Sequence, residues 1–174
     1  SREEEAKKRL EELLREVEKV VRDHHRENEK IREEVERVVE KHKKRNRELV
    51  EAVRKRIRDK DVVKEAEDLL RKSSKDLEEL LRTLEELIRR ASERLREILE
   101  RVERVVRELK KLVESGMDVR EAVERLKEIV ERVRRKVEKL TEDSRRVLEE
   151  LKRRIEKLTR DSERVLKEIE DRTR

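Results

Sequence analysis

Three stripes of apolar residues, each advancing in steps of three and four, constrain this chain more than any other feature. The first runs Leu10, Leu13, Val17, Val20, His24, Asn28, Ile31, Val35, Val38, His42, Asn46, Leu49, Val53. The second passes Val62, Ala66, Leu69, Ser73, Leu77, Leu80, Leu84, Leu87, Ala91, Leu95, Ile98, Val102, Val105, Leu109 and Val113, and the third runs from Val119 through Ala122, Leu126, Val133, Ser144, Leu151 and Ser162 to Ile169. That spacing is one face of an α-helix. Within the stripes the repeat is 18 residues: VEKVVRDHHRENEKIR at 17–32 returns as VERVVEKHKKRNRELV at 35–50, and VEKLTEDSRRVLEELKRR at 137–154 returns as IEKLTRDSERVLKEIEDR at 155–172. Eighteen residues close five turns at about 3.6 per turn, so the pattern matches the natural pitch and calls for no supercoil.

Composition narrows the alternatives. Charged residues make up 59% of the chain, against 32% apolar, with no Phe, Trp, Tyr, Pro or Cys and a single Gly. A typical chain of this length carries about 8 Pro and about 12 Gly. Losing nearly all of them removes most turns and leaves two outcomes, a disordered polyampholyte or long helices; the strict period decides for helices, because disorder has no reason to keep one. Sheet folds are excluded, as are disulfide frameworks, thiolate metal sites and cysteine nucleophiles. No apolar run approaches the ~18 residues of a membrane span, and no secretory leader is visible.

Two breaks divide the helices. In VESGMDVREAV, Gly116 suits the left-handed position after a helix, and Asp118 suits the cap of the next, with Glu121 three residues on. The other break, in RIRDKDVVKEA, lacks Gly and Pro and is marked by a slip in phase, with the loop expected at Asp59–Asp61 and Asp61 as N-cap. The expected fold is all-α, an up-down-up three-helix bundle of nearly straight helices at about 2–59, 62–115 and 118–173, forming one domain over 1–174. Each helix would span roughly 80–85 Å. Apolar arcs roughly 120–140° wide suit helices that touch two neighbours.

The informative residues are the polar ones on the stripes. His24 and Asn28 recur in phase as His42 and Asn46; Thr141 and Ser144 recur as Thr159 and Ser162; the second segment offers Ser73, Ser74 and Ser92. Antiparallel hairpins place Asn28 beside Ser92 and Thr141, and Asn46 beside Ser74 and Thr159. Two polar layers are therefore expected: His24, Asn28, Ser92, Thr141 and Ser144 in one; His42, Asn46, Ser73, Ser74, Thr159 and Ser162 in the other. A buried polar group without a partner costs about 1–3 kcal/mol, so such residues belong inside only as connected sets, which then fix helix pairing.

Other chemistry is poorly served. Haem ligation needs a histidine facing His24 or His42 from another helix, and there is none. Asn is a poor zinc ligand, no carboxylate shares the stripe, and no cofactor or metal is expected. The serines and threonines lack a triad and a loop to shape a pocket, so no enzymatic role is expected. The basic run Lys41, Lys43, Lys44, Arg45, Arg47 sits among interleaved acids with no aromatic for base stacking, which reads as a solvated face rather than a specific nucleic-acid surface. Charged outer faces argue against membrane binding.

Taken together, the 18-residue repeat, the blocks HHREN/HKKRN and KLTEDSRRVLEEL/KLTRDSERVLKEI, the SGMD loop and the missing aromatics resemble de novo designed parametric helical bundles with modular buried hydrogen-bond networks. The resemblance covers the whole chain. It implies a synthetic structural scaffold with no natural activity or localisation, soluble and made recombinantly in a cytoplasm, and requiring no partner. The alternative is a designed interaction module, self-associating or accepting a helical partner, and pH-responsive through His24 and His42. Residual apolar exposure on the second helix would mark it.

Overall fold

The computed structural model describes residues 1–172 and consists of three helices: α1 (Arg2–Arg56), α2 (Lys60–Glu114) and α3 (Val119–Arg172). Position 173, the expected end of the third helix, lies outside the described residues. The three helices pack against one another as a bundle, and every pair is in contact.

The two connections are built differently. After α2, Gly116 takes φ 103°, the Met117 N–H donates to the Leu112 carbonyl at 2.9 Å, and the Gly116 N–H donates to the Val113 carbonyl at 3.2 Å. This pair of bonds satisfies the carbonyls that a helix end leaves open, and it requires a left-handed residue at that one place. Asp118 then caps α3, its Oδ1 accepting from the Arg120 N–H at 3.1 Å. Glu121 does not close a capping box; its carboxylate pairs with Arg125 one turn on.

The first connection is Ile57–Asp59, three residues with no positive φ. It falls earlier than the Asp59–Asp61 loop expected from the sequence, and the cap is Asp59, not Asp61: Asp59 Oδ1 accepts from the Asp61 N–H at 2.9 Å, and the Asp59 carbonyl accepts from Val63. Ile57 is buried one turn after Val53, to whose carbonyl its N–H still donates at 2.9 Å, while Arg58 and Asp59 are exposed.

Packing outlines two compact units, and each takes a part of all three helices. One comprises Ser1–Glu29 with Leu87–Ser144; its core joins Ala6, Leu10, Leu13, Val17 and Val21 of α1 to Leu95, Val102, Val106 and Leu109 of α2 and Ala122, Leu126, Val130 and Val137 of α3. The other comprises Lys30–Glu86 with the chain from Arg145 onward; Val53, Ile57, Ala66, Leu70, Leu166 and Ile169 form its core near the first connection. Full burial of a leucine such as Leu10, Leu84 or Leu126 contributes about 1.5–3 kcal/mol. Where the α1 stripe offers adjacent valines, the second is the buried one: Val21 and Val39 lie inside, Val20 and Val38 at the boundary.

Candidate functional site

Each unit holds one polar layer centred on a histidine of α1. In the first unit His24 and Asn28 are 2% and 1% exposed, one turn apart on the buried face. Thr141 of α3 completes the layer. Its hydroxyl donates to the Val137 carbonyl one turn back at 3.0 Å, the usual recourse of a helical threonine. That hydroxyl has no second proton to give, so at the 2.7 Å contact His24 Nδ1–H donates and Thr141 Oγ1 accepts. His24 Nε2 is then the acceptor, and it takes an N–H from Asn28 Nδ2 at 2.9 Å. A directional chain results, from the Asn28 amide through the ring and the threonine hydroxyl to a backbone carbonyl, and it fixes the histidine as the neutral Nδ1–H tautomer. Asn28 Oδ1 is left buried without a partner.

The second unit repeats the first half of this scheme and changes the second. The Thr159 hydroxyl donates to the Ile155 carbonyl at 2.9 Å and accepts from His42 Nδ1–H. His42 Nε2, however, accepts from the Ser73 hydroxyl of α2 at 3.3 Å. Asn46 therefore has nothing to donate to. It is 4% exposed, and both its Nδ2 and its Oδ1 are buried without partners. The hydroxyl of Ser73 is not repeated in α2: 18 positions along stands Ala91.

The remaining candidates fall around these chains. Ser144 is buried, but its hydroxyl is spent on the Leu140 carbonyl of its own helix at 3.1 Å. Ser162, its repeat partner, is buried on the same face. Ser74 and Ser92 are only half-buried and take no part in the chains through the histidines. The expected pairing of Asn28 and Asn46 with the threonines is not found; the histidines, one turn earlier, reach Thr141 and Thr159 instead. Closing α1 at Ile57–Asp59 rather than at Asp59–Asp61 displaces it against the other two helices by about one turn. Sequence reasoning also missed the Val137 and Ile155 carbonyls that end each chain, although a threonine inside a helix signals that bond.

Burial holds both histidines below the ordinary imidazole range, since desolvation disfavours the charged ring. For His24, desolvation comes first and repulsion from neighbouring His25, 6.2 Å away between ring centres, adds to it; Glu27 acts in the opposite sense. For His42, desolvation is opposed by Glu163. The His42–Thr159 bond lies at the floor of a groove of about 690 Å³ that includes Val38, Lys41, Arg45 and Ile155.

Ion pairs cross the outer faces. Arg134 meets Glu16 at 3.2 Å in the first unit, and Arg45 meets Glu163 at 3.1 Å in the second. Lys110 pairs with Glu11 and Lys152 with Glu34. Exposed pairs of this kind contribute little each, but α1 charges meet their α3 partners at nearly constant separation, in keeping with a parallel pairing of those helices.

Among the described residues no three His, Asp or Glu side chains gather as a metal site, and no helix is long and apolar enough to cross a membrane. No protein-family model matches the chain, and neither a curated protein nor a solved structure is detectably similar to it.

Proposed function

We propose that this chain is a structural module of designed origin, a three-helix scaffold whose buried histidine–threonine layers specify which helices pair and in what register. The observation that carries the reading is the recurrence of one hydrogen-bond chain: His24 to Thr141 and His42 to Thr159, each spanning 117 residues, each ending on a carbonyl one turn back on α3. Sliding α1 by a turn would carry both imidazole N–H groups away from the threonine hydroxyls that accept from them. Each such loss costs about 1–3 kcal/mol, while an all-apolar seam would tolerate the slip.

Closure of the apolar surface supports a single copy as the working form. Among the described residues Leu112, 44% exposed, is the large apolar side chain left open, and one exposed leucine is ordinary for a folded surface. Light scattering is expected to give a mass near 21.4 kDa; twice that value would favour the interaction-module reading.

The register role has its own test. Replacing His24 and His42 with Leu and Thr141 and Thr159 with Val gives an apolar seam of similar volume. The expected outcome is a helical protein of equal or greater thermal stability whose amide resonances double or broaden as alternative registers become populated. A single sharp set with unchanged contacts between α1 and α3 would overturn the proposal.

A further inference from the structure

We propose that the groove between α1 and α2 beside Asn46 is a binding site for a small neutral primary carboxamide carrying a short alkyl tail. This goes beyond the scaffold reading and does not depend on it.

The site lies wholly within the second unit. It is a groove of about 510 Å³ whose lining combines polar Asn46 and Ser74, apolar Val50 and Leu70, and a set of charged side chains that includes Lys43 and Arg54. Among its lining residues is Asn46, whose side-chain amide is buried with neither Nδ2 nor Oδ1 partnered. Asn46 must find both an acceptor for Nδ2–H and a donor for Oδ1, and His42 offers neither because Ser73 has taken its free nitrogen.

The geometry of a primary amide selects its complement. A second carboxamide presents a C=O and an N–H at the same spacing, so the two close a pair of parallel hydrogen bonds. A carboxylate supplies acceptors only and leaves Asn46 Oδ1 unpaired; an alkylammonium supplies donors only and leaves Nδ2 unpaired. The rim charges are nearly balanced, with Arg54 bridging Glu51 at 2.7 Å and Glu67 at 2.9 Å, Arg71 paired with Asp68 and Lys43 beside Glu40 and Glu78, so the amide complement sets the selectivity. Val50 and Leu70 provide the apolar wall for a tail of a few carbons.

Entry requires movement of the rim, because the amide atoms lie beneath the surface. Lys43 is the natural gate: its ammonium touches Glu40 and Glu78 only at 3.9 Å, at the limit of an ion pair. Its flexible stem can swing aside at small cost. In the first unit no equivalent site arises, since Asn28 donates to His24 and only its Oδ1 is open.

The test is a titration of the intact chain at pH 7 with hexanamide, following the side-chain amide resonances of Asn46. A saturable shift is expected, with hexanoate and hexylammonium at least about tenfold weaker, the loss that accompanies one unmade buried hydrogen bond. Asn46→Leu should bind hexanamide at least about tenfold more weakly while keeping its helical signal, and Lys43→Ala should bind it no more weakly than the parent. Should Asn46→Leu not fold, the three-probe series on the parent chain decides alone. Asn46 resonances unmoved by hexanamide, equal affinity for all three probes, or equal affinity in folded Asn46→Leu would each overturn the proposal. So would a crystal grown with hexanamide in which only ordered water meets the Asn46 amide.

Discussion

The two polar layers come from the same sequence block used twice, and they differ at one position. Around His24 the ring is held by its own helix on one side and α3 on the other, through Asn28 and Thr141. Around His42 it is held by α2 and α3, because α2 presents Ser73. The gain of a serine hydroxyl links all three helices through one ring, and its side effect is to strand an asparagine. A polar residue copied by repeat does not carry its partner with it; satisfaction depends on what the facing helix supplies, and one missing or added hydroxyl redirects the whole chain of donors.

The largest effects are expected where the two layers agree. Thr141→Val and Thr159→Val each leave a buried imidazole N–H without an acceptor, and each should lower unfolding free energy by about 1–3 kcal/mol in chemical denaturation. A difference between the two well outside that range would mean that the layers do not share their α3 half.

Next come substitutions at the asparagines, which should differ in sign. Asn46→Leu removes two unpaired polar atoms and adds apolar contact, so it should stabilise by roughly 1–3 kcal/mol. Asn28→Leu removes the donor to His24 Nε2 and leaves that nitrogen bare, so it should be neutral or destabilising by about 1 kcal/mol. Thermal melts of the two variants side by side decide the matter; equal shifts would erase the distinction drawn between the layers.

Acid should weaken both layers. Both rings are held below the ordinary value near 6.5, so the unfolded chain takes up protons more readily than the folded one as pH drops. Stability contributed by the neutral rings is therefore fully present above about pH 6.5 and is lost as pH falls through the folded-state values. Following the ring C–H resonances from pH 7.5 to 4 should place both His24 and His42 below a free imidazole, desolvation being the first cause in each; a ring titrating at or above the free value would contradict its burial.

The smallest expected change is Ala91→Ser. It supplies the first layer with the hydroxyl that the second has, and His24 Nε2 should exchange Asn28 for the new donor with a net effect under about 1 kcal/mol. The readout is the Asn28 side-chain amide, which should come to resemble that of Asn46.

Much of the fold was legible because helical period, the Gly116 turn and the 18-residue repeat all act locally. Gly116 announces its connection because only a left-handed residue completes that pair of bonds. Ile57–Asp59 announces nothing, since its backbone is ordinary and its cap is an aspartate among many. Misplacing that break by two residues was enough to set Asn28, rather than His24, opposite Thr141. The identity of the polar residues was readable from the stripes; their partners were not, because partnership depends on a register that an inconspicuous three-residue connection sets. Ser73 was visible on the second stripe, yet its hydroxyl acquires meaning only once His42 is known to face it.

The 117-residue separation of the histidine–threonine bonds also has a kinetic consequence. Each hairpin, α1 with α2 and α2 with α3, can close through short connections and neighbouring contacts, but the face between α1 and α3 exists only after both have closed. Contacts so distant along the chain carry the greatest loop-closure entropy and belong to the late part of folding. Losing Thr141 or Thr159 should therefore leave the refolding rate nearly unchanged and show itself as faster unfolding. The layers would then act as a latch on the assembled bundle, setting its lifetime rather than the speed of its assembly.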